Sequence, residues 1–120
     1  MRIVIDIDGT ICPIKEKEQS YADLIPHKDA VDKLKEMRAS GHYIILQTAR
    51  NMATCESNVG KVMKNIGKIT LDWLEKHDIV YDEIFFGKPN AEIYIDDRAF
   101  RYESWDKISE EMLQTIRKSK

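Results

Sequence analysis

MRIVIDIDGT, residues 1–10, decides how the rest of the chain is read. A β-branched apolar run, Ile3-Val4-Ile5, leads into two aspartates one residue apart, and Gly9-Thr10 then breaks the strand. Side chains alternate along a strand, so Asp6 and Asp8 start on one side and Ile7 on the other. Two carboxylates at the end of a buried strand repel each other and lose hydration, a strain relieved by a cation or a shared proton. Asp-Gly is also ordinary turn punctuation. The pair points to chemistry only if other strand ends carry matching groups.

The chain has 120 residues, enough for one domain with a modest core. Apolar residues make up 42% and charged residues 33%, ordinary for a globular protein that works in water. Nineteen basic residues stand against 21 acidic ones, a net charge of −2, which lacks the basic footprint of a nucleic-acid binder. The apolar runs are too short to span a bilayer, and the N-terminus enters a strand directly, without a signal peptide. Cys12 and Cys55 show no metal-ligand spacing with any histidine, so two reduced thiols in a cytoplasmic protein are expected. His27, His42 and His77 form no cluster and read as surface or capping residues.

Four β-like runs stand out, at 2–7, 43–47, 83–86 and 92–95. Between the first two, Pro26 suits a helix start, and Ala30, Val31, Leu34, Met37 and Arg38 follow at helical spacing before Gly41. Between the second and third, Val59, Val62, Met63, Ile66, Ile69, Trp73 and Leu74 predict a long amphipathic helix ending near His77. Trp105, Ile108, Met112 and Ile116 mark a C-terminal helix. Strands alternating with helices predict an α/β protein, a doubly wound parallel sheet of Rossmann-like form covered on both faces. Residues 11–25 fit neither period and read as a loop or flap over the strand ends. Few residues separate the third and fourth runs, whereas a parallel crossover usually needs a dozen or more.

Every run ends in a reactive or charged group: Asp6 and Asp8, Thr48 and Arg50, Gly87 and Lys88, Asp96 and Asp97. Ligands of open parallel sheets bind at the carboxyl ends of the strands. Carboxylates, a hydroxyl and an amine gathered there suit phosphoryl transfer through a covalent intermediate. One carboxylate attacks phosphorus, a second moves the proton, and Mg²⁺ takes hard oxygen ligands. Thr48 and Lys88 then serve the phosphoryl oxygens.

These residues resemble the haloacid dehalogenase superfamily of phosphohydrolases. DIDGT (6–10) is similar to its first motif, ILQT (45–48) to its second, Lys88 to its third and IDD (95–97) to its fourth, in the family's order. The resemblance implies Asp6 as nucleophile and Asp8 as general acid/base. Mg²⁺ would be held by Asp6, the main-chain carbonyl of Asp8 and Asp97, with Asp96 acting through a water. Thr48 would bind the phosphoryl group, and Lys88 would bridge nucleophile and phosphate, with Lys61, Lys64 and Lys68 as alternatives for that lysine. Arg50 and Arg98 would sit near the mouth and read an anionic substrate or pair at the surface. The 37 residues 11–47 and the 39 residues 49–87 leave no room for a cap domain. TARN (48–51) and GKPNAEIYIDDRAF (87–100) further resemble small cap-less members found near capsule and surface-polysaccharide genes, which implies a small phosphorylated sugar or polyol as substrate. The site of a cap-less chain is open, so a homo-oligomer, dimer or tetramer, is expected to cover it, with Tyr21, Phe100, Tyr102 and Trp105 as candidate contact residues. A phosphatase of macromolecules and a phospho-accepting receiver-type switch are the alternatives. A switch has no use for an acid two residues past the nucleophile.

Overall fold

Strand β1 (Arg2–Asp6) stops where Asp-Gly chemistry takes over. Beyond it the Ile7 carbonyl accepts from the backbone N–H groups of Thr10, Ile11 and Cys12, which folds the chain into a tight turn. Gly9 sits there at φ +87°, a left-handed conformation that costs a residue without a Cβ little. In this computed structural model, which describes residues 1–118, the turn opens a long irregular segment with one 3₁₀ turn at Tyr21–Asp23. Its ends are anchored by buried Ile11, Cys12 and Leu24, while most of residues 13–20 are exposed. The sequence reading of 11–25 as a loop matches this, with a firmer anchor than its polarity suggested.

Helix α1 (Lys28–Ala39) follows, burying Ala30, Leu34 and Met37 at four- and three-residue steps. Asp29 in its first turn and Arg38 in its last complement the helix dipole. Strand β2 (Tyr43–Thr48) is the central strand, and its Ile44, Ile45 and Leu46 are all buried. A loop leads to Asn58, whose side chain accepts from the Lys61 N–H and starts helix α2 (Val59–Val62). A π-helical turn (Met63–Gly67) joins α2 to α3 (Lys68–Lys76). The long amphipathic helix expected here is present, with that wider turn inside it. Strand β3 (Glu83–Phe86) comes next.

The sheet is parallel with order β1-β2-β3. Asp6 is level with Gln47, and Thr48 is level with Phe86. The core is formed by Ile5, Ile7, Ile44 and Leu46 of the sheet region and by Leu34 and Leu74 of the helices. A second apolar cluster joins Met52, Cys55, Val62 and Ile66. The fold is therefore α/β with a three-stranded parallel sheet and helices.

By contact density the chain divides into two units, Met1–Asn90 and Ala91–Lys120. The first holds everything described so far. The second contains a 3₁₀ turn at Trp105–Lys107 and helix α4 (Glu110–Lys118), with Trp105 and Ile108 buried and the Tyr102 ring 5.6 Å from that of Trp105. The β-like run at 92–95 is not a strand: residues 91–100 are irregular and exposed throughout. Its β-branched composition supplies the propensity, but the short link from β3 leaves no route for a parallel crossover. No helix among the described residues is long and apolar enough to cross a membrane. Both cysteines are free and buried. His42 is buried rather than at the surface, its Nδ1 3.0 Å from the terminal amine of Met1.

Candidate active site at the strand ends

The parallel register brings the ends of β1, β2 and β3 to one edge of the sheet. The Ile7 N–H donates to the Gln47 carbonyl at 3.1 Å, and the Lys88 N–H donates to the Thr48 carbonyl at 3.1 Å, so the ladder continues past both strand ends. Asp6, Asp8, Thr48, Arg50 and Lys88 are thereby held in one constellation.

Asp6 is partly buried. Lys88 Nζ lies 3.3 Å from its Oδ1, and the Thr10 hydroxyl donates to its Oδ2 at 3.4 Å. Burial pushes the Asp6 carboxyl above its ordinary pKa, opposed by the Lys88 ammonium and its hydrogen bond, aided by the nearby Asp8 charge and opposed again by Thr10. A carboxylate that stays partly desolvated beside a lysine is poorly solvated as an anion and correspondingly available as a nucleophile.

Asp8 has different partners. The Thr48 hydroxyl donates to its Oδ2 at 3.0 Å, and Arg50 Nε lies 3.0 Å from both carboxylate oxygens. Arg50 itself is almost wholly buried. Its Nη1 donates to the Thr70 hydroxyl at 3.2 Å and its Nη2 to Cys12 Sγ at 3.9 Å. The guanidinium carbon lies 4.3 Å from the Tyr21 ring centroid and 5.4 Å from that of Trp73, a cation–π enclosure from the loop and from α3. Removing one partner of a buried ion pair costs about 3–5 kcal/mol, because the other charge is left unpaired. The enclosure therefore fixes the Asp8 carboxylate firmly.

These contacts revise the expected position of Arg50. The sequence reading puts Arg50 near the mouth, reading substrate; the structure buries its side chain and commits it to Asp8. Thr48 is fully buried, and its hydroxyl both donates to Asp8 and accepts from the Arg50 N–H at 3.1 Å. Lys88 lies beside Asp6, its Nζ 3.3 Å from Oδ1. Lys68, an alternative for the bridging role, instead pairs with Asp72 on its own helix. Asp96 and Asp97 lie in the second unit, both exposed, and the Arg98 N–H donates to Asp96 Oδ1 at 2.7 Å.

Cys12, Tyr21, Thr70 and Trp73 support Arg50 without having been assigned that task from sequence. The sequence reading names Tyr21 as a candidate subunit contact, Cys12 as a reduced thiol and Trp73 as one position of a helix's apolar stripe, and it singles out no role for Thr70. Burial first, then the Asp8 charge, pushes the Cys12 thiol up to about 12 against the pull of Arg50, so the sulfur stays protonated and its S–H faces Asp8 Oδ1 at 3.8 Å.

The carboxylate and carbonyl oxygens of Asp6 and Asp8 suit a hard cation such as Mg²⁺ in kind. Among the described residues, no group of three or more His, Cys, Asp or Glu side chains is placed to hold a metal.

No protein-family model matches the chain, and no curated protein does. Among solved structures, the crystal structure of an MCSG target from Vibrio cholerae is similar to it, at 36% sequence identity and a TM-score of 0.87, covering 99% of this chain and 98% of that one. Identity at that level over the full length of both chains reflects common descent, and the chain belongs to the same family as this Vibrio cholerae protein.

Proposed function

We propose that the protein is a Mg²⁺-dependent phosphatase of the haloacid dehalogenase type. It would hydrolyse a small phosphorylated metabolite, a sugar or polyol phosphate, in the cytoplasm. The observation that carries this reading is the contrast between two carboxylates two residues apart. Asp6 meets a lysine and a threonine hydroxyl at the open end of β1, and Asp8 is clamped from behind by Thr48 and Arg50. Paired carboxylates with distinct surroundings take distinct roles.

In this mechanism a carboxylate oxygen of Asp6 attacks phosphorus, and the bond from phosphorus to the leaving oxygen breaks. Asp8 gives that oxygen its proton. Water then attacks the aspartyl phosphate and passes a proton to Asp8, and the bond between phosphorus and Asp6 breaks to release inorganic phosphate. Lys88 offsets the charge on the phosphoryl oxygens, while Thr48 and Arg50 hold Asp8 within reach of the leaving group. Asp6, the Asp8 carbonyl and Asp97 would ligate Mg²⁺, with Asp96 acting through a water. The ion, when bound, neutralises phosphate charge and makes phosphorus more electrophilic.

Turnover of an aryl phosphate with Mg²⁺ tests the reading. Asp6→Asn should lower kcat by at least about a thousandfold, since the covalent route is lost. Undiminished turnover in that variant would overturn the mechanism. A panel of sugar and polyol phosphates, run beside phosphopeptides and phosphorylated oligonucleotides, then tests the substrate class.

A further inference from the structure

We propose that the site is completed in trans: residues 92–95 of a second copy of this chain add as a fourth, parallel strand to the free edge of β1, bringing the partner's Asp96 and Asp97 beside Asp6. The role given to those acids rests on the phosphatase reading. The strand addition does not.

Strand β1 is the first argument. Its Ile3-Val4-Ile5 run has the composition of a parallel strand buried on both faces, yet β1 is an edge strand among the described residues, and Val4 is 57% exposed. An open apolar edge is a template for another strand. The second argument is the segment that fits it. Ile93, Tyr94 and Ile95 are 70%, 48% and 93% exposed, three consecutive strand formers outside any sheet.

The same chain cannot deliver that segment to its own β1 in parallel. Lys88 is still hydrogen-bonded to the β2 side of the ladder, through the Thr48 carbonyl, so only residues 89–91 are left as a link. From Lys88 to Glu92 the chain takes four steps, which reach at most about 14 Å. The path would have to descend a four-residue strand, about 13 Å, and cross three strand spacings, about 14 Å. A neighbouring chain has no such limit, and exchange of an identical element is a low-cost route to a dimer when the connecting segment is short.

Register supplies the third argument. With Asp96 level with Asp6, Ile95 meets Ile5, Tyr94 meets Val4, Ile93 meets Ile3, and Glu92 meets Arg2, whose side chain is largely exposed. Apolar residues then face apolar ones, Glu92 meets a charge of opposite sign, and Asp96 comes level with Asp6 as a like-charged pair of the kind a cation relieves. Residues 91–120 also form a compact unit of their own, which can move between copies as a body.

Two experiments on the full chain test this. Asp6→Asn and Asp97→Asn chains are unfolded together, mixed and refolded. Reciprocal exchange gives half of the mixed population one intact site, so turnover should recover to about a quarter of the wild-type value. Turnover no greater than that of the parents, with wild-type protein active after the same treatment, overturns the proposal. The second readout needs no activity. A Val4→Cys chain and a mass-tagged Tyr94→Cys chain, mixed and oxidised, should give a covalent dimer of mixed mass that neither variant forms alone. Absence of that dimer, or an internal bond within a monomeric Val4→Cys/Tyr94→Cys chain, overturns the exchange. If the wild-type protein proves inactive on phosphate esters, the proposed function falls while the cross-link still decides the exchange.

Discussion

At the Asp6 carboxylate, desolvation and attraction to Lys88 act in opposite directions, and desolvation is the larger. The sign of its effect on stability follows. A carboxyl whose folded pKa lies above the unfolded value of 3.8 weakens the fold when ionised, fully so above the folded pKa, and the penalty fades as pH falls through it. Asp6→Asn should therefore melt above the wild type at neutral pH, and the two melting curves should converge in acid. Thermal denaturation of both proteins across that range checks it, and an Asp6→Asn protein that melts below the wild type at neutral pH would show that Lys88 outweighs burial. The gathering of Asp6, Asp8, Thr48 and Lys88 at one sheet edge was legible because each ends or follows an apolar run. The place of Arg50 was not. A sequence shows that an arginine follows a strand, but not that Tyr21, Thr70 and Trp73, from distant parts of the chain, close over it.

Among the elements, the turn after β3 is the most constrained. Gly87 has φ +96°, and a Cβ there would come within 2.9 Å of Val59 Cγ2, at the start of α2. Gly87→Ala meets both the left-handed penalty, about 1–2 kcal/mol, and a collision with the Val59 side chain. The Lys88 ammonium, one residue on, should be displaced from Asp6. Urea denaturation should show the loss of stability, and KM for an aryl phosphate should rise if Lys88 receives the phosphoryl group. Helices and the first three strands were readable from period and punctuation, since Ala30, Leu34 and Met37 or Val62, Ile66 and Thr70 bury one face each. The run at 92–95 was misread because propensity records what a segment suits and says nothing of whether a partner strand is within reach.

For the molecule as a whole, exchange between copies would tie folding to association. A fold whose native state needs two chains gains stability with concentration, so its melting temperature should climb as protein is added over a hundredfold range. A melting temperature that does not move with concentration would mark a self-sufficient monomer. The α/β class followed from the alternation of strands and helices. The division at Asn90 did not, because composition does not change there and only the density of contacts does.

The π turn between α2 and α3 has a consequence for chain length. Five residues, Met63–Gly67, make one wide turn between two α-helical stretches, the backbone form of a one-residue insertion. Removing one exposed residue there, such as Lys64, lets the turn close to α-helical width while Val62 before it and Trp73 after it keep their facing. The same deletion within α3 would rotate everything on one side by about 100°, carrying Trp73 off the Arg50 guanidinium. The helix thus contains one place where the lineage can lose a residue without losing the site.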